Sequence, residues 1–210
     1  MSSIIPLLAS SQGRRDEELN VKLAEKVVEY QDKKALKELF ELLTSKDRKL
    51  ANDAIKVIYE IGYRQAKMVT PFLETLVELL GSKVNRLQWG SMTAISTVAA
   101  DSPKKVYPYL TKIVMAMEAG SVITKDHGVK TLVQLSSLKA HREDVITLLM
   151  EFIQSAPVNQ FPTYVMATAD TKLSGQEADL LRTIVESRLP EFEEYPPKEK
   201  KLLNVLKALN

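Results

Sequence analysis

The chain has 210 residues, 45% of them hydrophobic and 27% charged, which is enough for one sizeable core and too apolar for a disordered segment. It has no cysteine, which excludes disulfides, thiolate metal sites and a cysteine nucleophile and leaves packing to provide the stability. The 29 basic and 27 acidic residues nearly cancel to a formal charge of +2, so a charge-driven partner must read a local patch.

The apolar stretch Ile4-Ile5-Pro6-Leu7-Leu8-Ala9 is too short to span a bilayer and, unlike a signal peptide, has no basic segment before it. A cytoplasmic location without membrane contact is expected. The first fifteen residues read as a tail or a partial capping helix, ahead of the first confident helix near Asp16. From there apolar residues recur at the helical period: Leu19, Leu23, Val27 and Tyr30, then Leu36, Leu39, Phe40 and Leu43. Gln31-Asp32-Lys33 separates the two runs, giving one helical hairpin over 16–45.

A second hairpin over 46–82 pairs Leu50, Ala54, Ile55, Ile58 and Ile61 with Phe72, Leu73, Leu76, Val77 and Leu80. Its break is expected from Gly62 to Thr70, and Pro71 sits at the start of the second helix, where its missing N–H costs nothing. The segment Leu42-Leu43-Thr44-Ser45-Lys46 returns as Leu79-Leu80-Gly81-Ser82-Lys83, an offset of 37 residues that also carries Ile58 onto Ile95, Pro71 onto Pro108 and Leu73 onto Leu110. The third hairpin over 83–120 follows the same offset, with Asp101-Ser102-Pro103 as its break. A fourth over 121–157 keeps the pattern with a slip of one residue. A fifth over 158–189 is weaker, as terminal repeats are. Glu191 to Pro197 reads as an acidic linker, and 198–209 as a capping amphipathic helix with Leu202, Val205, Leu206 and Leu209 on one stripe.

A period of this size in an all-helical chain marks stacked helical hairpins. With proline opening the second helix and small residues Ala54, Gly90, Ala94 and Gly128 in the first, it resembles the HEAT and armadillo repeat families over about Asp16 to Leu189. The resemblance implies an all-α fold, a right-handed α–α superhelix or solenoid of about five hairpins in a single domain over 1–210, serving as a scaffold. Tetratricopeptide repeats have a similar period, but their tryptophan, glycine and tyrosine pattern is not repeated here. Bacterial alkylpurine DNA glycosylases share this architecture, which implies paired aromatics and a catalytic aspartate. This chain has the single tryptophan Trp89, with Thr93 rather than a carboxylate four residues on.

His127 and His141 lie in no metal-ligand spacing, and His127 takes the place of Trp89 one repeat later. No nucleophile elbow, phosphate loop or dinucleotide fingerprint occurs. The expectation is therefore no catalytic residue, no metal ligand and no cofactor. Glu17-Glu18 and Glu193-Glu194 read as solvated charge.

Two surfaces remain. In such solenoids the second helices are expected to line the concave face, where Tyr107, Tyr109, Lys112 and Met115, with Glu41 and Glu78 at the repeat offset, suit a protein or peptide partner. The alternative is nucleic acid along a basic inter-repeat edge of Lys46, Lys49, Lys83, Arg86 and Lys125, with Trp89 as a stacking platform. A monomer is expected.

Overall fold

The computed structural model describes residues 3–209, and all regular structure among them is helical. The expected span 1–210 includes residues 1, 2 and 210, which lie outside the described ones. Two compact units are present, one ending at Gly128 and the other beginning at Val129.

The first unit opens with two 3₁₀ turns, Ile5–Leu7 and Ser10–Gln12. They are docked rather than loose. Leu8 and Ala9 are buried, the Ala9 N–H donates to Asn20 Oδ1 at 3.0 Å, and the Ser10 N–H donates to Asp53 Oδ2 at 2.8 Å. Asn20 is fully buried and donates in turn to Asp53 Oδ1 at 2.8 Å.

The first hairpin consists of α1 (Glu18–Glu29) and α2 (Lys33–Leu42). Gln31 turns the chain with φ of +50°, and the Asp32 carboxylate caps α2 by accepting from the Lys34 and Ala35 N–H groups. The second hairpin pairs α3 (Arg48–Val69), capped by Asp47, with α4 (Leu73–Leu79), which follows the 3₁₀ turn Thr70–Phe72.

The break expected from Gly62 to Thr70 is present, but not at its glycine. Helix α3 runs through Gly62 and departs from helical geometry only at Gln65, with φ of −154° and ψ of 77°. Gly62 is a point of close approach: a Cβ at that position would lie 2.3 Å from Thr97 Oγ1 on the next hairpin. The glycine is spent on packing.

The third hairpin contains α5 (Asn85–Asp101), the short α6 (Pro103–Val106) and α7 (Leu110–Ala119). Helix α8 (Val122–Leu135) follows. Every residue from Gly90 to Ala99 of α5 is buried. Three of its hydroxyls bond to the helix's own carbonyls, Thr93 to Trp89, Ser96 to Thr93 and Thr97 to Ala94, at 2.7–2.8 Å, while the buried Ser91 Oγ has no partner among the described residues. Ile55, Ile58, Ile61 and Ile95 are fully buried, each contributing on the order of 1.5–3 kcal/mol of apolar transfer.

Helix α1 lies along α3 and α3 along α5 with close backbone approach, so the first helices form one continuous layer. Small residues permit this, since a Cβ on Gly90 would stand 2.6 Å from Ile55 Cγ1. The second helices pack on first helices, α2 on α3 and α4 on α5. They do not approach one another in the same way. Seams lie between them, one between α2 and α4 and one between α4 and α7.

The second unit holds α9 (Arg142–Gln154), α10 (Phe161–Ala169), α11 (Gly175–Arg188) and α12 (Pro196–Ala208). Ser174 and Glu177 form a reciprocal capping box at the start of α11. The guanidinium of Arg142 makes a two-bond fork with Glu177 at 2.9–3.0 Å and donates to the Ser136 carbonyl. Arg188 donates to the carbonyls of Ile153, Gln154 and Ala156 at the end of α9 and stacks 4.3 Å from the Phe161 ring centre. The stretch expected as a linker is anchored by Phe192, which is fully buried with its ring 5.6 Å from that of Phe161.

Candidate functional site

Two kinds of surface meet solvent in the first unit, and their charges are used differently. Across the first-helix layer runs a chain of alternating charges: Arg86 pairs with Glu17, Glu17 with Lys56 at 3.4 Å, Lys56 with Glu60 at 2.7 Å, Glu60 with Arg64 at 2.6 Å, and Arg64 with Glu25 at 3.0 Å. It joins α1, α3 and α5. Burial opposes the charged form of Glu60, but hydrogen bonds from Lys56 and Arg64 outweigh it and hold its carboxyl below the ordinary glutamate value. Lys56 is likewise held above the ordinary lysine value, with burial overcome by its bond to Glu60.

Two aromatic residues of this layer lie under the same cations. Arg86 lies 4.3 Å over Trp89, Lys56 lies 4.8 Å over Tyr59, and the Tyr59 and Trp89 rings are 6.0 Å apart. Trp89 and Arg86 are thus committed to one another and to Glu17. Glu17, expected as solvated charge, bridges two helices. His127 Nδ1 lies 3.4 Å from Ser96 Oγ.

Between the second helices the seams differ. At the first, the Phe40 ring of α2 stacks on Phe72 with centroids 4.1 Å apart and fills the space. One repeat on, the corresponding residues are Val77 and Tyr109. The aromatic pair is gone, and a groove of about 430 Å³ opens between α4 and α7. Val77, Leu80 and Ala116 are buried along it, Gln88 of α5 lines it, and Glu78, Lys112 and Met115 reach it from the two helices.

Three of the six residues singled out for a protein partner therefore meet here. Met115 is 62% exposed, and Glu78 and Lys112 are exposed beside it. Neither is in an ion pair among the described residues. Tyr107 and Tyr109 are half-buried in the 3₁₀ turn that precedes α7. Glu41 lies apart, in a pocket with Ser3, Lys34, Lys37 and Glu38, and stands 3.8 Å from Lys37.

No protein-family model and no curated protein sequence matches the chain. Solved structures do. A designed armadillo repeat protein superposes with a TM-score of 0.67 at 17% identity, covering 98% of this chain and 100% of its own. A second, solved in complex with the peptide (KR)4, superposes at 0.64 with 14% identity, covering 97% and 100%. An engineered protein superposes at 0.69 with 15% identity, covering 92% of this chain and 53% of its own.

The fold is that of the HEAT/armadillo-type helical repeats.

Within that repeat fold, Lys46 and Lys49 flank the start of α3, Lys83 precedes α5, and Lys125 stands in the first turn of α8. The first three are exposed and Lys125 is half-buried, whereas Arg86 and Trp89 of the same expected edge are tied up as described. Among the described residues no three His, Asp or Glu side chains are grouped to hold a metal ion, and no helix is long and apolar enough to cross a membrane.

Proposed function

We propose that this helical-repeat protein is a non-enzymatic scaffold that binds a segment of another protein in the groove between α4 and α7, beside Tyr107 and Tyr109. The observation that carries this reading is the contrast in charge use. Six charges of the first-helix layer neutralise one another in a chain, while Glu78 and Lys112 stand unpaired beside an exposed methionine and line one groove with it. An apolar groove with a few polar groups at its lip is the ordinary form of a recognition site. That a designed armadillo repeat protein of similar fold holds a peptide supports peptide capture as something this architecture can perform.

Gly81 offers the test. Gly81 lines the groove, and a Cβ there meets only the Glu78 carbonyl, at 3.6 Å, an ordinary van der Waals contact, so a side chain can be attached at this position. Peptides enriched from a random displayed library on the wild-type chain should lose binding to Gly81→Trp. If enrichment fails, or the enriched peptides bind Gly81→Trp equally well, the groove is not the site.

A further inference from the structure

Resting on the groove as the binding site, we infer the chemistry of its partner: a short protein segment that inserts one large apolar side chain, with a carboxylate on the Lys112 side and a cation on the Glu78 side.

The groove is apolar along its length and charged at its edges. Val77 and Leu80 belong to α4 and its C-terminal turn, Ala116 and Ala119 to α7. Room is left because Val77 stands where Phe40 stacks in the preceding seam, and the two alanines add only one carbon each on the facing wall. Met115, unbranched and polarizable, stands at the rim where it can fold over an inserted leucine, methionine or phenylalanine.

The charges fix what flanks the anchor. Glu78 and Lys112 have opposite signs and line one groove from opposite helices, yet no ion pair joins them among the described residues. A segment lying between them can satisfy both, and reversing its charges sets like against like on each wall. Gln88 adds a polar contact. Its amide Nε2 donates to the Leu80 carbonyl at 3.0 Å, and its Oε1 accepts no hydrogen bond among the described residues, so it offers an acceptor for a backbone N–H of the segment.

A phosphorylated or polynucleotide partner is disfavoured by Glu78, which stands in the same groove as the lysine and repels phosphate. A second copy of the chain would need to offer an exposed apolar side chain between opposite charges, and such an occupant would reveal itself as a concentration-dependent dimer.

The experiment uses the full chain and fluorescein-labelled twelve-residue peptides read by polarization. Each has a central leucine with glutamates on one side and lysines on the other; both directions are made, and each is compared with its leucine-to-alanine version. The better direction should bind at least about tenfold more tightly than its alanine version, roughly 1.4 kcal/mol. Lys112→Glu, which leaves both walls acidic, should erase the preference between the two directions and favour an additional peptide with lysines on both sides of the leucine, and Gly81→Trp should abolish binding while leaving the melting temperature within a few degrees of wild type.

Equal affinity for the leucine and alanine peptides overturns the inference, as does a charge preference unmoved by Lys112→Glu, or self-association that Gly81→Trp abolishes. If library selection yields peptides that need the groove while none of the charged leucine peptides bind, the binding site stands and the partner chemistry falls. If nothing selected depends on the groove, both fall.

Discussion

Gly62 and Thr97 meet so closely that a methyl group on the glycine would stand 2.3 Å from the threonine hydroxyl oxygen and 3.2 Å from its Cβ. This contact sets the spacing of α3 and α5. Gly62→Ala gains helix propensity of about 1 kcal/mol, but forcing the helices apart costs about 1–3 kcal/mol, and the position is buried on all sides. A net loss of stability in urea unfolding is expected. Combining it with Thr97→Ala removes the 2.3 Å clash and should restore most of the loss; strict additivity of the two changes would show that the contact does not govern the spacing.

Glu60 should make the first unit sensitive to acid. Its carboxyl titrates below the ordinary glutamate value when folded, so the unfolded chain binds the proton first as pH falls. The stabilisation is fully present above the ordinary value and is lost as pH drops through the depressed one. Melting temperatures from pH 7 to pH 3 should fall less steeply for Glu60→Gln than for wild type, with the variant the less stable of the two at neutral pH. Parallel curves would place the acid response elsewhere, for example at Glu177, whose carboxyl is lowered by its hydrogen bond from Arg142 in spite of burial.

Arg188 acts as a cap for a helix that is not its own. Its guanidinium meets three carbonyls at the end of α9, the Phe161 ring and Glu191. Arg188→Ala leaves those carbonyls without their charged donor and should cost about 2–3 kcal/mol. Arg188→Lys keeps the charge but not the planar fork, and should recover less than half of the loss in thermal unfolding.

The N-terminal turns depend on one amide. Asn20→Ala removes the acceptor for the Ala9 N–H and the donor to Asp53, leaving buried polar groups unpaired at about 1–3 kcal/mol. Amide hydrogen exchange over residues 4–13 should accelerate in this variant while that of α5 is unchanged. Unaltered exchange would mean that apolar contacts of Leu8 suffice to hold the segment.

The hairpins and their turns were legible in the sequence because local signals encode them. The apolar stripes of α1 to α5, the turn at Gln31-Asp32-Lys33 and the proline before α4 all lie within a few residues of what they determine. Gly62 was not legible, since a breaking glycine and a packing glycine look alike until Thr97, 35 residues away, is seen against it. The same holds for Glu17, whose partner Arg86 lies 69 residues on. The repeat offset placed Glu41, Glu78 and Met115 in one register, yet only the last two share a groove. What separates them is whether the seam is filled, and that follows from the Phe40–Phe72 stack, a pairing visible only in three dimensions.

A helix such as α5, sealed from Gly90 to Ala99, has almost no letters left with which to address another molecule. Drift in sequence there is constrained by neighbours inside the chain. The exposed positions of α4 and α7 carry no such debt, so the surface free to acquire or exchange partners over time is the one where the seam stands open.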